Sequence, residues 1–172
     1  SKRAGRRNGM KNSINIVALA ICKNEETTLP RWIENVRKIA SKVIVLDTGS
    51  EDKSMAVASA LGAEVFESNM PSDSFSFAEA RNLALNLIPL DTDWLIFTDV
   101  DEIIAEESIP NILKEIEWIS YLADHKDIDA IAVTIRNRND DGSIKTVAKN
   151  VNPRIIRIEE DRKYFFTGDL HE

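Results

Sequence analysis

A chain of 172 residues, 43% hydrophobic and 30% charged, has the composition of one globular domain and the length to bury a sizeable core. Its formal charge of −7 includes a basic start (Lys2, Arg3, Arg6, Arg7, Lys11), so the body is more acidic still and makes a poor nucleic-acid binder, which needs clustered Lys and Arg. The single cysteine, Cys22, excludes an intrachain disulfide framework and a cysteine-based zinc cage, and fits a reducing, cytoplasmic setting.

Residues 1–12 have almost no apolar content and are expected to form a disordered basic tail, a solvated leader or a leftover of expression. The one use such a tail would have is peripheral contact with anionic lipid. The longest apolar run, residues 14–22, is far short of the ~20 residues of a membrane-spanning helix. Residues 14–21 read as a first buried strand, broken by the polar turn Lys23-Asn24-Glu25-Glu26. Thr27 or Thr28 can cap a helix with Pro30 in its first turn, and Leu29, Trp32, Ile33, Val36 and Ile39 give that helix one apolar stripe. Residues 43–46 form a second strand, ended by Asp47-Thr48-Gly49-Ser50-Glu51-Asp52. The Ala-rich segment 53–61 is helical, with Gly62 as its terminator, and residues 63–66 are a short third strand. A loop containing Pro71 spans 69–74, and a third helix spans 77–88. A central strand follows at 94–97.

After Glu102 the pattern changes. A helix opens at Ser108-Ile109-Pro110 and runs to about residue 122. Residues 129–138 are rich in β-branched side chains, Asp140-Asp141-Gly142-Ser143 is a hairpin turn, and 144–148 return. Residues 154–158 and 164–167 read as further strands. The expected architecture is α/β: a mostly parallel central sheet flanked by helices, with an added antiparallel β region near the C-terminus. Residues 13–172 are expected to form a single domain. Ligands in such sheets bind beyond the carboxyl ends of the strands, where Asn24 to Glu26, Asp47 and Asp99 to Asp101 all fall.

Trp94-Leu95-Ile96-Phe97-Thr98 runs without a charge into Asp99-Val100-Asp101-Glu102. If the backbone stays extended through Asp101, the carboxylates of Asp99 and Asp101 project to one side. Paired carboxylates repel unless a cation lies between them, and Mn²⁺ or Mg²⁺ would accept this pair and keep positions for phosphate oxygens. The alternative is a strand that merely ends in a solvated acidic turn. Arg81 is unexpected on its helix, where Phe77, Arg81, Ala84 and Ile88 share the stripe that should face the sheet. A guanidinium there needs an anion, either a ligand or an acid such as Asp47. Asp47 itself can cap the Thr48-Gly49-Ser50 turn, or accept from a base N–H or a ribose hydroxyl. Asn24 and Glu25 have the same two readings, helix capping or ligand contact.

Ala20-Ile21-Cys22-Lys23-Asn24-Glu25-Glu26, Val45-Leu46-Asp47-Thr48-Gly49-Ser50-Glu51-Asp52, Phe77-Ala78-Glu79-Ala80-Arg81-Asn82, Asp99-Val100-Asp101-Glu102 and Gly168-Asp169-Leu170-His171-Glu172 together resemble family 2 glycosyltransferases of the GT-A fold, in order and in rough spacing. Glu51 stands where Thr is usual and Val100 where Ala is common; neither change removes a functional group. The resemblance implies a Rossmann-like fold, a nucleotide-sugar donor (most often a uridine diphosphate sugar), a divalent metal and inversion at the anomeric carbon. Carried over by position, Asp47 and Arg81 would lie against the base with Asn24 and Glu25 nearby, and Asp99 near the ribose. Asp101 would bind the metal, with Asp99 and His171 close to it. Glu172 would lie near the acceptor, whether glycan, lipid or peptide, with Asp169 and Glu102 as further candidates for the base that activates it. Acceptor-binding segments would normally follow His171-Glu172, so the catalytic core is expected to be cut short there.

Two other readings compete. The Asp-x-Asp of haloacid-dehalogenase-like phosphatases sits on an early strand with Thr or Val two residues on; here three strands precede the motif and Ile103 holds that place. A nucleotide-sugar-binding module without turnover, one part of a longer multidomain chain, is the rival from a different class. Product formation separates it from a transferase.

Overall fold

The computed structural model describes residues 13–68, 76–121, 128–134, 151–159 and Tyr164. Six strands build one sheet in the order β3-β2-β1-β4-β6-β5. The apolar runs at the start of the chain become β1 (Ile16–Cys22), β2 (Lys42–Asp47) and β4 (Trp94–Phe97), and β3 is the short segment Glu64–Glu67. These four pair in parallel. β5 (Ala130–Thr134) and β6 (Val151–Arg157) add the antiparallel portion, β6 pairing with both β4 and β5. Ile16, Val17, Ala18, Leu19 and Ala20 are all buried, as a strand covered on both faces requires.

Alternate residues of each strand feed two cores. Ala18, Val45, Ile96 and Ile155 pack on one face with α1 (Leu29–Val36), α2 (Ser54–Ala60) and α4 (Ile109–Tyr121). Leu19, Leu46, Leu95 and Phe97 pack on the other with Ala84 of α3 (Phe77–Leu85). Helix α1 buries Leu29, Trp32, Ile33 and Val36, the predicted stripe, and α4 buries Ile109, Ile112, Ile116 and Ile119. Pro30 lies in the first turn of α1 as expected, but neither threonine caps the helix: the Thr28 hydroxyl donates to the Glu25 carboxylate instead. Gly62 ends α2 at φ +78, a conformation that disfavours any other residue, and a Cβ there would lie 2.7 Å from Arg37 Nη2.

Three expectations shift. Helix α3 ends at Leu85, and its sheet-facing residues are Ala80 and Ala84, so Phe77 is 47% exposed and not part of the buried stripe. Small side chains let the helix approach the sheet closely, and that sets which face turns inward. Strand β6 begins at Val151, earlier than the alternation from Arg154 suggests. The predicted 69–74 loop and 140–143 hairpin turn lie outside the described residues, as does all but Tyr164 of the last predicted strand. Among the described residues no helix is long and apolar enough to cross a membrane.

From β1 the chain winds through α1, β2 and α2 to β3 at one edge, then returns by α3 to β4 on the far side of β1. The strand order therefore reverses between β1 and β4. At such a switch point the loops leaving the two strands diverge and open a crevice at their carboxyl ends.

Candidate active site

The loop after β1 and the loop after β2 form the first wall of that crevice, and they are interlocked. Ser50 Oγ accepts from the Asn24 amide at 2.8 Å, and Asn24 Oδ1 accepts from the Glu51 amide at 2.8 Å. Ser54 Oγ accepts from the Glu25 amide at 2.7 Å, Asp52 Oδ2 from the Glu26 amide at 3.1 Å, and Glu26 Oε2 from the Lys53 amide at 2.9 Å. Asn24 has φ 57, a left-handed conformation that Asn tolerates better than most residues. Partial burial raises the Asp52 pKa, but hydrogen bonds from the Ser54 hydroxyl, the Ser54 amide and the Glu26 amide outweigh it and hold the carboxyl below its ordinary value. A depressed folded pKa means this contribution is present above the usual carboxylate range and is lost as pH falls through the folded value.

Asp47 closes the wall from beneath. It is fully buried, and its Oδ1 accepts from the Gly49 amide at 2.9 Å and the Ser50 amide at 2.8 Å. Gly49 sits at φ +101, which lets the turn fold back over the carboxylate. Asp47 thus has the turn-capping role that its position allowed. Its Oδ2 lies 3.5 Å from Cys22 Sγ, its partner across β1 and β2. Burial, reinforced by the neighbouring Asp47 carboxylate, pushes the Cys22 thiol up to about 12, so it is a neutral, inert group near pH 7 rather than a nucleophile.

The second wall is the segment leaving β4. Here the structure corrects the extended-strand expectation. β4 ends at Phe97, and residues 99–102 form a tight turn in which the Glu102 amide donates to Asp99 O at 3.0 Å. Glu102 Oε2 accepts in return from the Asp99 amide at 3.1 Å. Strand alternation therefore does not govern Asp99 and Asp101. They are presented from a turn, where backbone hydrogen bonding inside the loop replaces pairing with a neighbour.

Arg81 and Asp99 are brought together, with Arg81 Nη2 3.8 Å from Asp99 Oδ1. The Arg81 side chain is mostly buried and the Asp99 side chain is 56% exposed. Arg154, on β6, lies on the other side of Asp99 at 3.6 Å and holds Glu102 Oε1 at 2.6 Å. Asp101 is exposed and has no hydrogen bond or ion pair with another described residue. Asn24, Glu25 and Asp47 gather on the first wall, Arg81, Asp99 and Asp101 on the second. His171, Asp169 and Glu172 lie outside the described residues.

The sequence reading missed three residues that shape these walls. Thr98 is buried and its Oγ1 accepts from Trp32 Nε1 at 2.9 Å, tying the end of β4 to α1. Asn35 grips the segment after the acidic turn, its Nδ2 donating to Ile104 O at 2.9 Å and its Oδ1 accepting from the Ile104 amide at 2.8 Å. A polar residue between Ile33 and Val36 on a buried helix face was the available signal. Arg154 is the third; it offered only one of two arginines in a strand that also carries Arg157.

The acidic turn can be tested as a seat for a hard divalent cation from its donors. Asp101 offers a carboxylate that nothing else in the described residues engages, and Asp99 a second one partly exposed. Among the described residues no three of His, Cys, Asp and Glu gather into a closed cage. One or two carboxylates completed by phosphate oxygens and water is how Mg²⁺ is usually held beside a nucleotide. The turn fits that open kind of site.

A doubly wound sheet with an open acidic turn at its switch point defines a class of α/β proteins that bind ligands at the strand ends. The chain belongs to glycosyl transferase family 2, whose family model matches residues 18–170. It is 34% identical over 127 residues to an uncharacterized glycosyltransferase of Rickettsia conorii, covering 73% of this chain and 42% of that protein. It is 33% identical over 123 residues to the O-antigen chain rhamnosyltransferase of Salmonella typhimurium, covering 63% of this chain and 36% of that one. The chain thus spans less than half the length of these relatives. Among solved structures it resembles glucosyl-3-phosphoglycerate synthase from Mycobacterium tuberculosis in complex with uridine diphosphate, at TM-score 0.54 and 24% identity over 73% of this chain and 46% of that one. That likeness establishes the GT-A fold.

Proposed function

We propose that this chain is the donor-binding core of a transferase that moves a sugar from a nucleoside diphosphate, with uridine as the base, to an acceptor nucleophile, with inversion at the anomeric carbon. The observation that carries the reading is the open acidic turn at the β1/β4 switch point, its Asp101 carboxylate unengaged among the described residues while Asp99 and Glu102 are held by Arg154. Residues 13–172 act in this reading as one domain.

The interlocked loops 23–28 and 48–54 form a rigid floor for the base. Asp47 and Arg81 flank it, Asp47 chiefly through the turn it holds. Asp99 faces the ribose. Asp101, aided by Asp99 and His171, would hold a divalent cation, Mn²⁺ or Mg²⁺. When bound, that ion offsets the negative charge that grows on the departing diphosphate. Glu172, or Asp169, takes the proton from the acceptor; Glu102 is unsuited because Arg154 and the Asp99 amide engage its two oxygens. A Glu172→Gln chain is expected to transfer sugar slowly with donor binding intact, and an unaltered rate would remove Glu172 from that role.

Uridine diphosphate with Mn²⁺ is expected to raise the melting temperature more than adenosine or guanosine diphosphate does, because ligand binds only the folded state. Equal shifts for all three would count against a uridine pocket. The span of less than half of the relatives' length favours keeping a second reading, a binding module that depends on further domains for turnover. Affinity for a nucleotide sugar with neither transfer nor hydrolysis would select it.

A further inference from the structure

We propose that Arg154 is a positioning residue that fastens the acidic turn to the antiparallel edge of the sheet and so sets where Asp101 is presented. The inference rests on the nucleotide-sugar reading for its functional consequence, though not for its structural part.

The register places Arg154 where it can do this. Ile96 pairs with Ile155, the last β4–β6 pair, so Arg154 falls beside Phe97, the residue at which β4 gives way to the turn. Ile155 belongs to the core under α1 and α4 and Ile156 to the core under α3. Alternation therefore sends Arg154 to the α3 side, where it lines a recess of about 20 Å³ with Arg81, Phe97, Asp99, Pro153 and Ile156. From there one terminal nitrogen reaches Glu102 Oε1 at 2.6 Å and Asp99 Oδ2 at 3.6 Å. Glu102 spends its other oxygen on the Asp99 amide. The turn is thus closed on itself and anchored to a strand some fifty positions away by one side chain.

Charge argues against a simpler role as an anion subsite. Arg81 and Arg154 face Asp99 and Glu102 across the same recess, so the two guanidinium charges are already matched. What is not matched is Arg154 Nε, which is buried and has no hydrogen-bond partner among the described residues. Leaving a buried donor unpaired is unfavourable. The side chain accepts that cost because its terminal nitrogen is committed to the turn.

The test uses the whole chain and two independent measurements. In the protein without ligand, Arg154→Gln should speed hydrogen exchange at the Asp99 and Glu102 amides roughly tenfold or more, since both lose the support that keeps them bonded, while β1 and β2 amides hold their rates. Unchanged exchange at those two amides overturns the proposal, whether or not a nucleotide binds. In a titration with uridine diphosphate, the same variant should lose about 10–100-fold of the Mn²⁺-dependent affinity, the usual effect of losing a group that orients a metal ligand, and keep its metal-free affinity. Equal losses with and without Mn²⁺ would place Arg154 on the nucleotide itself and overturn the positioning role. Glu102→Gln should reproduce the defect, and the double variant should be no worse than the more affected single one; additive losses count against the shared anchor. If the wild-type chain binds no nucleoside diphosphate, the proposed function fails by itself, and the exchange measurement still decides the role of Arg154.

Discussion

Asp101→Asn is expected to remove the Mn²⁺-dependent part of nucleoside diphosphate binding while the protein without ligand melts as before. Asp101 is exposed and unengaged by other described residues, so neutralising it should change stability by no more than about 0.5 kcal/mol, as surface substitutions usually do. A carboxylate that ligates a cation is a different matter, because an amide oxygen carries no charge to offset the ion. Calorimetric titration with uridine diphosphate, with and without Mn²⁺, separates the two roles. Unchanged affinity in Mn²⁺ would sink the metal assignment. A large drop in melting temperature would instead show that Asp101 supports the fold. Asp99→Asn is the useful contrast: it leaves Arg81 and Arg154 facing a neutral group, so its loss should include stability as well as binding.

The parts of this fold that follow from local periodicity were legible in the sequence. Uninterrupted apolar runs gave β1, β2 and β4, and the stripe through Trp32 and Val36 gave α1, because burial on both faces or on one face leaves a direct pattern. Their alternation was enough to place Asn24, Asp47 and Asp99 on one rim. What was not legible depends on partners far along the chain. The acidic segment could be read either as extended or as an acidic turn, and local sequence did not decide between them; the turn forms because Glu102 folds back on Asp99 and Arg154 arrives from β6. Helix α3 turns Ala84 inward as the stripe predicts, but Ala80 is buried where Phe77 was expected. Phe77 outweighs Ala80 in any hydrophobic count, yet the close approach of helix to sheet favours the alanine. The site followed the same division: its carboxylates lie in motifs, whereas Asn35, Thr98 and Arg154 become visible only with the partners they hold.

Asp47→Ala should be the most destabilising change at the site. The carboxylate is fully buried and accepts from two backbone amides, Gly49 and Ser50, in a turn that Gly49 can adopt only at positive φ. Removing it leaves both donors without their acceptor, in a turn where Gly49 is exposed and Ser50 half-buried, so water can take up part of the loss. Hydrogen bonds to charged groups contribute about 1.5–3 kcal/mol each. Relaxation of the turn recovers part of that, so a loss of about 3 kcal/mol is expected, or roughly 10 °C in melting temperature for a chain of this size. Asp47→Asn keeps one carbonyl oxygen in the place of Oδ1 and should lose well under half as much. Urea or thermal unfolding of the two variants measures the difference. Because Ser50 Oγ accepts from the Asn24 amide and Asn24 Oδ1 from the Glu51 amide, a collapsed turn also unlocks the loop after β1. Uridine preference should therefore fall in step with stability across the two variants. Full stability in Asp47→Ala, with nucleotide binding lost, would reverse the assignment and make this carboxylate a direct contact to the base rather than the support beneath it.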